Sequence, residues 1–155
     1  MNIRKATIND MDILIQLRLD YLLTDKGNLE EGELKAIRSQ LVTYFTKHIN
    51  NDFIAIFAEI DNHIVSTAFL AIAEKPANPS FITGKTGTLL NVFTYRDYRR
   101  RGCATKVISQ VIEEAKQLGV SLIELSATPD GEPLYKKFGF VEAATKYTPM
   151  KLQLF

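Results

Sequence analysis

The amino-acid sequence predicts an α/β fold of the mixed (α+β) type: about seven strands in a mostly antiparallel twisted sheet, with one parallel junction between the fourth and fifth strands, and four helices. Two observations lead to this prediction. The apolar residues change from helical spacing in the first third of the chain to short strand-like runs in the middle. A strand, a long amphipathic helix and a second strand then occupy residues 88–127, and such a unit forms a parallel pair with a right-handed crossover.

Composition favours one domain and excludes several classes of protein. A chain of 155 residues can remove roughly 70% of its unfolded surface from water, so we expect residues 1–155 to form a single domain. With 19 Lys and Arg against 18 Asp and Glu, the net charge is only +1, which argues against a nucleic-acid partner. A single cysteine, and the lack of a signal-peptide core or a membrane-length apolar run, favour a cytoplasmic protein with no membrane partner.

The first third of the chain predicts a short strand and two helices. Residues 2–6 form the strand, residues 7–10 supply capping side chains, and the following helix places Arg18 near the edge of its apolar face. A second helix is expected over residues 33–48. The acidic residues before it, including Glu30 and Glu31, either balance the helix dipole or form an acidic rim for a cationic substrate.

The middle of the chain predicts an antiparallel hairpin. Two β-rich runs, residues 53–60 and 64–73, flank a polar turn, and several positions in each run are apolar in succession, which indicates strands covered on both faces. The loop over residues 74–87 contains two prolines and two glycines, and loops of this length often shape a substrate entrance.

The last half begins with the strand and helix described above. The central strand covers residues 88–94, the amphipathic helix runs to residue 118, and the next strand covers residues 120–127. A turn, a short helix over residues 132–138, and a closing pair of strands, 140–145 and 147–154, complete the prediction.

The turn between the central strand and its helix has the composition of an anion site. Four arginines fall within residues 96–101, and the small residues Gly102, Cys103 and Ala104 follow them, so a ligand can come close to the backbone. The free N–H groups and positive dipole end of the helix point to the same place. This arrangement favours binding of a phosphate or pyrophosphate.

These residues carry a resemblance to a known family. The segment NVFTYRDYRRRGCATKVI, followed by ATPDGEPLYKKFGF, resembles the GCN5-related N-acetyltransferases (GNAT), whose acetyl-CoA motif Q/R-x-x-G-x-G/A is matched by Arg99, Gly102 and Ala104. The resemblance implies a GNAT-like fold and an acetyl-CoA-dependent enzyme, without a metal, that acetylates a primary amine of a small molecule or peptide by direct attack in a ternary complex. A non-catalytic acyl-CoA-binding sensor or scaffold of the same fold is the alternative.

The resemblance also implies roles for individual residues. The backbone of the turn would hold the CoA pyrophosphate, and the strand before it would pair with the pantetheine arm and place the thioester carbonyl near the N–H of Val92. Tyr135 matches the tyrosine that protonates the departing thiolate. The cofactor-binding residues implied are Val92, Phe93, Thr94, Arg99, Arg100, Arg101, Gly102, Cys103, Ala104 and Thr105.

The group that removes the proton from the amine is not fixed by the sequence. Asn91 and Glu59 are, with Tyr135, the predicted catalytic residues, and either of the two would act directly or through ordered water. Glu124 and the acidic pair at residues 30 and 31 are the other candidates. The exposed edges of the predicted sheet make a homodimer plausible.

Overall fold

A computed structural model describes residues 1–155, which form five strands and four α-helices interspersed along the chain. The strands are β1 (Asn2–Lys5), β2 (Phe53–Ile60), β3 (His63–Glu74), β4 (Lys85–Thr94) and β5 (Leu122–Glu124). The helices are α1 (Met11–Lys26), α2 (Glu31–His48), α3 (Cys103–Gln117) and α4 (Glu132–Lys137).

The strands form one sheet in the order β1-β2-β3-β4-β5. Neighbouring strands are antiparallel except β4 and β5, which are parallel and are joined by α3. The predicted fold class and the single parallel junction between the fourth and fifth strands are therefore confirmed.

The prediction of about seven strands is wrong, because the sheet has five. Residues 150–154 alternate apolar and polar side chains, but neither 140–145 nor 147–154 forms a strand. A strand requires a neighbour for its backbone N–H and C=O groups, and none lies beside this segment. Its apolar side chains are therefore exposed, with Met150 at 91% and Leu152 at 84% of their full accessibility.

Each face of the sheet is covered by helices. On one face α1 and α2 pack over aromatic side chains, among them Phe45, Phe53 and Phe69, whose ring centroids lie 5.2–6.1 Å apart. On the other face α3 buries its apolar stripe, which includes Val107, Ile108 and Val111. The middle strands are thus covered on both sides, as their continuous apolar runs predict.

Local hydrogen bonds account for the ends of the first two helices. Thr7 and Asp10 form a capping box ahead of α1, as expected from the polar side chains there. At the start of α2, the N–H of Glu30 donates to a carboxylate oxygen of Glu33 over 3.2 Å. Glu31 and Glu33 thus lie in the first turn of α2, and Glu33 acts on the helix backbone, which favours the helix-dipole interpretation over an acidic rim.

Candidate active site

The two parallel strands separate and leave a cleft. Residue pairing between β4 and β5 begins at Thr86 and Leu122 and ends at Thr88 and Glu124, whereas β4 continues to Thr94. Beyond Thr88, the edge of β4 that faces β5 has no strand beside it. An extended ligand can therefore bind along this edge by backbone hydrogen bonds, in the manner of an added strand.

A β-bulge interrupts β4 at the point where the cleft opens. Phe69 of β3 pairs with Leu90 and Thr67 pairs with Phe93, so Asn91 and Val92 together lie opposite a single residue of β3. Asn91 has φ +52°, a left-handed conformation that asparagine tolerates better than most residues. The bulge takes Asn91 and Val92 out of regular pairing, which exposes backbone groups of β4 to a ligand.

The side chain of Asn91 is buried and faces α1. Its Nδ2 donates to the carbonyl of Leu17 over 3.4 Å, and its Oδ1 accepts from Nη1 of Arg18 over 3.3 Å. The amide thus fixes the position of α1 relative to the bulge. Its hydrogen-bonding atoms are engaged with the protein, which favours a positioning role.

The turn after β4 presents a run of backbone N–H groups that no atom of the protein accepts, from residue 100 to residue 105. The first hydrogen bond within α3 runs from the N–H of Lys106 to the carbonyl of Gly102. Arg100 and Gly102, which precede the helix, have positive φ values of 63° and 78°. Left-handed residues that alternate with right-handed ones turn successive N–H groups toward one point.

The space in front of these N–H groups is open. A Cβ atom placed on Gly102 would meet nothing within 4 Å. The side chain of Arg99 folds back so that its Nε donates to the carbonyl of Thr94, and the guanidinium of Arg101 lies 5.3 Å from the ring centroid of Tyr98. Cys103 is buried and is directed to the carbonyl of Tyr98. The turn therefore fits an anion held mainly by the backbone, with exposed arginines around it.

Tyr135 lies on α4, directly after β5. Its ring packs edge-on against Phe140, with centroids 5.9 Å apart, and joins the apolar cluster beneath α3 that also includes Val92. Burial, together with the nearby hydroxyl of Tyr21 on α1, raises the pKa of Tyr135 above its ordinary value. The phenol therefore keeps its proton at neutral pH, as a proton donor requires.

The structure does not bring Glu59 to this cleft. Glu59 lies on β2, two strands away from β4, and its carboxylate accepts from Nε of Arg4 over 2.7 Å and from Nδ2 of Asn2 over 2.9 Å. These contacts lower the pKa of Glu59, with the hydrogen bond from Arg4 as the largest cause. A carboxylate held in this way is a poor proton acceptor.

Two further charged side chains border the cleft, one where β4 and β5 diverge and one beside the bulge. Glu124 pairs with Thr88 at the point where β4 and β5 diverge, is exposed and makes no ion pair. Arg18 is half-buried against Asn91 and Tyr21. The sequence contains an indication that Arg18 is functional, because a charged residue at the edge of a predicted apolar helix face must find a polar partner.

Comparison with known proteins identifies the family. The sequence pattern of the acetyltransferase (GNAT) family matches residues 18–140, which include the bulge, the arginine turn and Tyr135. The chain belongs to the GNAT family. The family resemblance expected from Arg99, Gly102 and Ala104 is therefore confirmed.

GNAT relatives are found among curated proteins and solved structures. The chain is 30% identical to a probable glucosamine 6-phosphate N-acetyltransferase 2 of Oryza sativa subsp. japonica, over 59% of this chain and 64% of that protein. The match thus spans less than two thirds of the rice protein. A crystal structure of a predicted acetyltransferase from Clostridium acetobutylicum with acetyl-CoA is 30% identical, with a TM-score of 0.82 over 97% of this chain and 95% of that one.

A more distant structure supports the fold alone. A GCN5-related N-acetyltransferase from Ralstonia eutropha is 21% identical, with a TM-score of 0.76 over 96% of this chain and 97% of that one. None of the helices in this GNAT chain has the length and apolar character needed to cross a membrane.

Proposed function

We propose that this chain is an acetyl-CoA-dependent N-acetyltransferase that moves an acetyl group to a primary amine of a small molecule or peptide, by direct attack in a ternary complex. One observation carries the proposal: the N–H groups of residues 100–105 have no acceptor in the protein and surround open space at the N-terminus of α3. Free donors at a helix N-terminus are suited to a pyrophosphate. Acetyl-CoA supplies a pyrophosphate and, on its extended arm, a reactive thioester.

The chain offers residues for the remaining parts of the co-substrate and for the reaction. The unpaired edge of β4, through Val92, Phe93 and Thr94, would bind the extended arm, and Arg99, Arg100, Arg101, Gly102, Cys103, Ala104 and Thr105 would surround the pyrophosphate. The N–H of Val92 would donate to the thioester carbonyl oxygen, where negative charge develops. Tyr135 would donate its phenolic proton to the departing sulfur.

The attacking amine must give its proton to an acceptor. Among Glu124, Glu59 and Asn91, we propose Glu124 because of its position. Its partner Thr88 and the nearby Leu90 share the sheet face on which α1 and α2 pack, because Leu89 between them packs in the cluster beneath α3, on the opposite face. Residues paired across neighbouring strands point to the same face. The carboxylate of Glu124 therefore lies on the same face as Asn91, at the mouth of the cleft. Glu59 lies outside the proposed site, and Asn91 positions α1.

Release of free CoA tests the proposal directly. Acetyl-CoA is mixed with a panel of amines, beginning with glucosamine 6-phosphate because of the rice relative, and then amino acids, polyamines, aminoglycosides and peptide N-termini. Free thiol is measured by its colour reaction. Release that depends on both acetyl-CoA and an amine, with a matching acetylated product by mass spectrometry, supports the enzyme. The sensor or scaffold alternative predicts tight acetyl-CoA binding without release in any mixture.

The exposed C-terminal segment suggests self-association. Met150, Leu152 and Leu154 alternate with polar residues and remain exposed, and the outer edge of β5 has no partner strand. Contiguous exposed apolar side chains mark interaction surfaces. We therefore propose one domain per chain and a homodimer in which this segment is covered. Light scattering of the chain and of the Leu152→Asp variant should give dimer and monomer masses, and a monomeric parent chain would contradict the dimer.

A further inference from the structure

The inference concerns a small cavity between the helices α1 and α2 and the sheet. Its volume is about 190 Å³, and six of the eight residues that line it are hydrophobic. The lining includes the aromatic rings of Tyr44 and Phe45, together with Leu90 of β4, the residue before the bulge. The polar lining comes from Arg18 and Gln40. Sites that enclose a drug-sized ligand measure roughly 300–1,000 Å³, so this cavity admits part of a small molecule.

Arg18 is the charged group of this cavity, and no carboxylate neutralises it. It takes part in none of the ion pairs of the protein, in contrast to Arg4, which binds both Asp10 and Glu59. Its one hydrogen bond runs from Nη1 to Oδ1 of Asn91, a neutral acceptor, over 3.3 Å. Nε and Nη2 have no acceptor in the protein. A half-buried guanidinium of this kind is suited to a carboxylate or phosphate, which it binds through two parallel hydrogen bonds.

The surroundings of Arg18 raise its affinity for an anion. Its guanidinium carbon lies 5.7 Å from the ring centroid of Tyr21, which restricts the side chain. Removal from water lowers the pKa of Arg18, because burial disfavours the charged form of the guanidinium. Arginine keeps its charge despite such a shift, so an incoming anion meets a cation with little competing water.

The position of Arg18 connects the cavity with the proposed reaction. Asn91, its hydrogen-bond partner, directly precedes Val92, whose N–H is the proposed donor to the thioester carbonyl. An anionic group on Arg18 would therefore lie within a few bonds of an amine placed at the bulge. The aromatic cavity beside it would receive an apolar group of the same molecule.

We propose that Arg18 binds an anionic group, a carboxylate or phosphate, on the acceptor amine, and that the cavity lined by Tyr44, Phe45 and Leu90 holds an apolar part of that acceptor. The inference rests on the proposed acetyl transfer for the identity of the bound molecule as an acceptor. Arg18 is accordingly a residue that determines acceptor specificity, and it takes no part in the transfer of protons.

Equilibrium binding tests this assignment without requiring turnover. Calorimetric titrations, with and without CoA, compare two matched pairs: L-phenylalanine against L-phenylalaninamide for a carboxylate, and 2-aminoethyl phosphate against ethanolamine for a phosphate. We expect the anionic member of at least one pair to bind at least tenfold more tightly. Arg18→Gln should abolish this difference in affinity. Arg18→Lys should retain a smaller difference, because lysine keeps the charge but lacks the planar guanidinium that makes two parallel hydrogen bonds.

The control is Arg38→Gln, which removes the same charge from an exposed position on α2. It should leave the preference intact, and circular dichroism should show that all three variants are folded. The assignment is overturned if the wild type prefers neither anion, or if Arg18→Gln keeps the preference. Titration with acetyl-CoA alone tests the proposed function separately: intact acetyl-CoA binding without any anion preference contradicts only the role of Arg18.

Discussion

Nε of Arg4 donates to a carboxylate oxygen of Glu59 over 2.7 Å and joins the first two strands of the sheet. The same guanidinium forms an ion pair with Asp10 at 2.8 Å, just ahead of α1. Glu59 is therefore part of a network that fastens the N-terminal strand. A carboxylate on a predicted strand is a candidate for a catalytic base, but the contacts of Glu59 indicate a structural role.

Glu59 and Glu124 can be separated by matched substitutions. Glu59→Gln should change kcat by less than about twofold and reduce the free energy of unfolding by about 1 kcal/mol or less, since the ion pair is partly exposed. Glu124→Gln should lower kcat by about 10²-fold if its carboxylate accepts the amine proton. Steady-state kinetics and urea unfolding measure both effects. The reverse ranking of the two variants in kcat would assign the base to Glu59.

The same network predicts a loss of stability in acid. Hydrogen bonds from Arg4 lower the pKa values of both Asp10 and Glu59 relative to the unfolded chain. Such carboxylates stabilise the fold at pH values above their ordinary range near 4, and this contribution disappears as the pH falls through their lowered values. Unfolding free energies between about pH 6 and 2 should therefore decline less steeply in Glu59→Gln than in the wild type. Parallel curves would contradict the linkage.

Tyr135→Phe should reduce kcat by about 10²-fold while the Kd for acetyl-CoA stays nearly unchanged, because the substitution removes only the proposed proton donor. Because the pKa of Tyr135 is raised, its phenol stays protonated at pH values above the ordinary pKa of tyrosine. Wild-type kcat should therefore fall only at strongly alkaline pH. The variant should lack this alkaline decline. Tyr147→Phe, at an exposed position in the C-terminal segment, is the control. A kcat within twofold of the wild type in Tyr135→Phe would exclude this role.

Gly102→Ala should weaken acetyl-CoA binding at least tenfold. The new Cβ would enter the open space in front of the free N–H groups, and the left-handed φ of 78° would add a strain of about 1–2 kcal/mol. Gly119→Ala is a matched control, because Gly119 has φ 76° and open space around it but lies past the far end of α3, a helix about 22 Å long. Both variants should lose similar stability by urea unfolding. Equal acetyl-CoA affinity in the two would contradict the position of the phosphate site.

Much of the fold could be predicted because its elements are determined locally. The hairpin of β2 and β3, the stripe of α3 and the stop at Gly119 follow from side-chain period and turn residues. The number of strands could not be predicted in this way. The apolar alternation of residues 150–154 is typical of a strand, but pairing depends on whether another strand lies beside it, which no local pattern encodes.

The candidate site likewise has one part that the local sequence predicts and one part that depends on tertiary packing. The free N–H groups of the turn follow from an arginine-rich junction between strand and helix that ends in Gly102, so the sequence predicts them. The bulge at Asn91, and the contact of its amide with Arg18, join residues from β4 and α1 that are far apart in the chain. Asparagine within a strand was the available signal for the bulge, since it tolerates positive φ, but its partner became evident only from the packing of α1.

The crystal structure of the chain with bound acetyl-CoA tests the central claim most directly. We expect pyrophosphate oxygens within about 3 Å of backbone nitrogens between Arg100 and Thr105, and the extended arm of the ligand along the edge of β4 beyond Thr88. Phosphates bound elsewhere on the protein, with the N–H groups of the turn left without an acceptor, would contradict the assignment of this turn as the acetyl-CoA site.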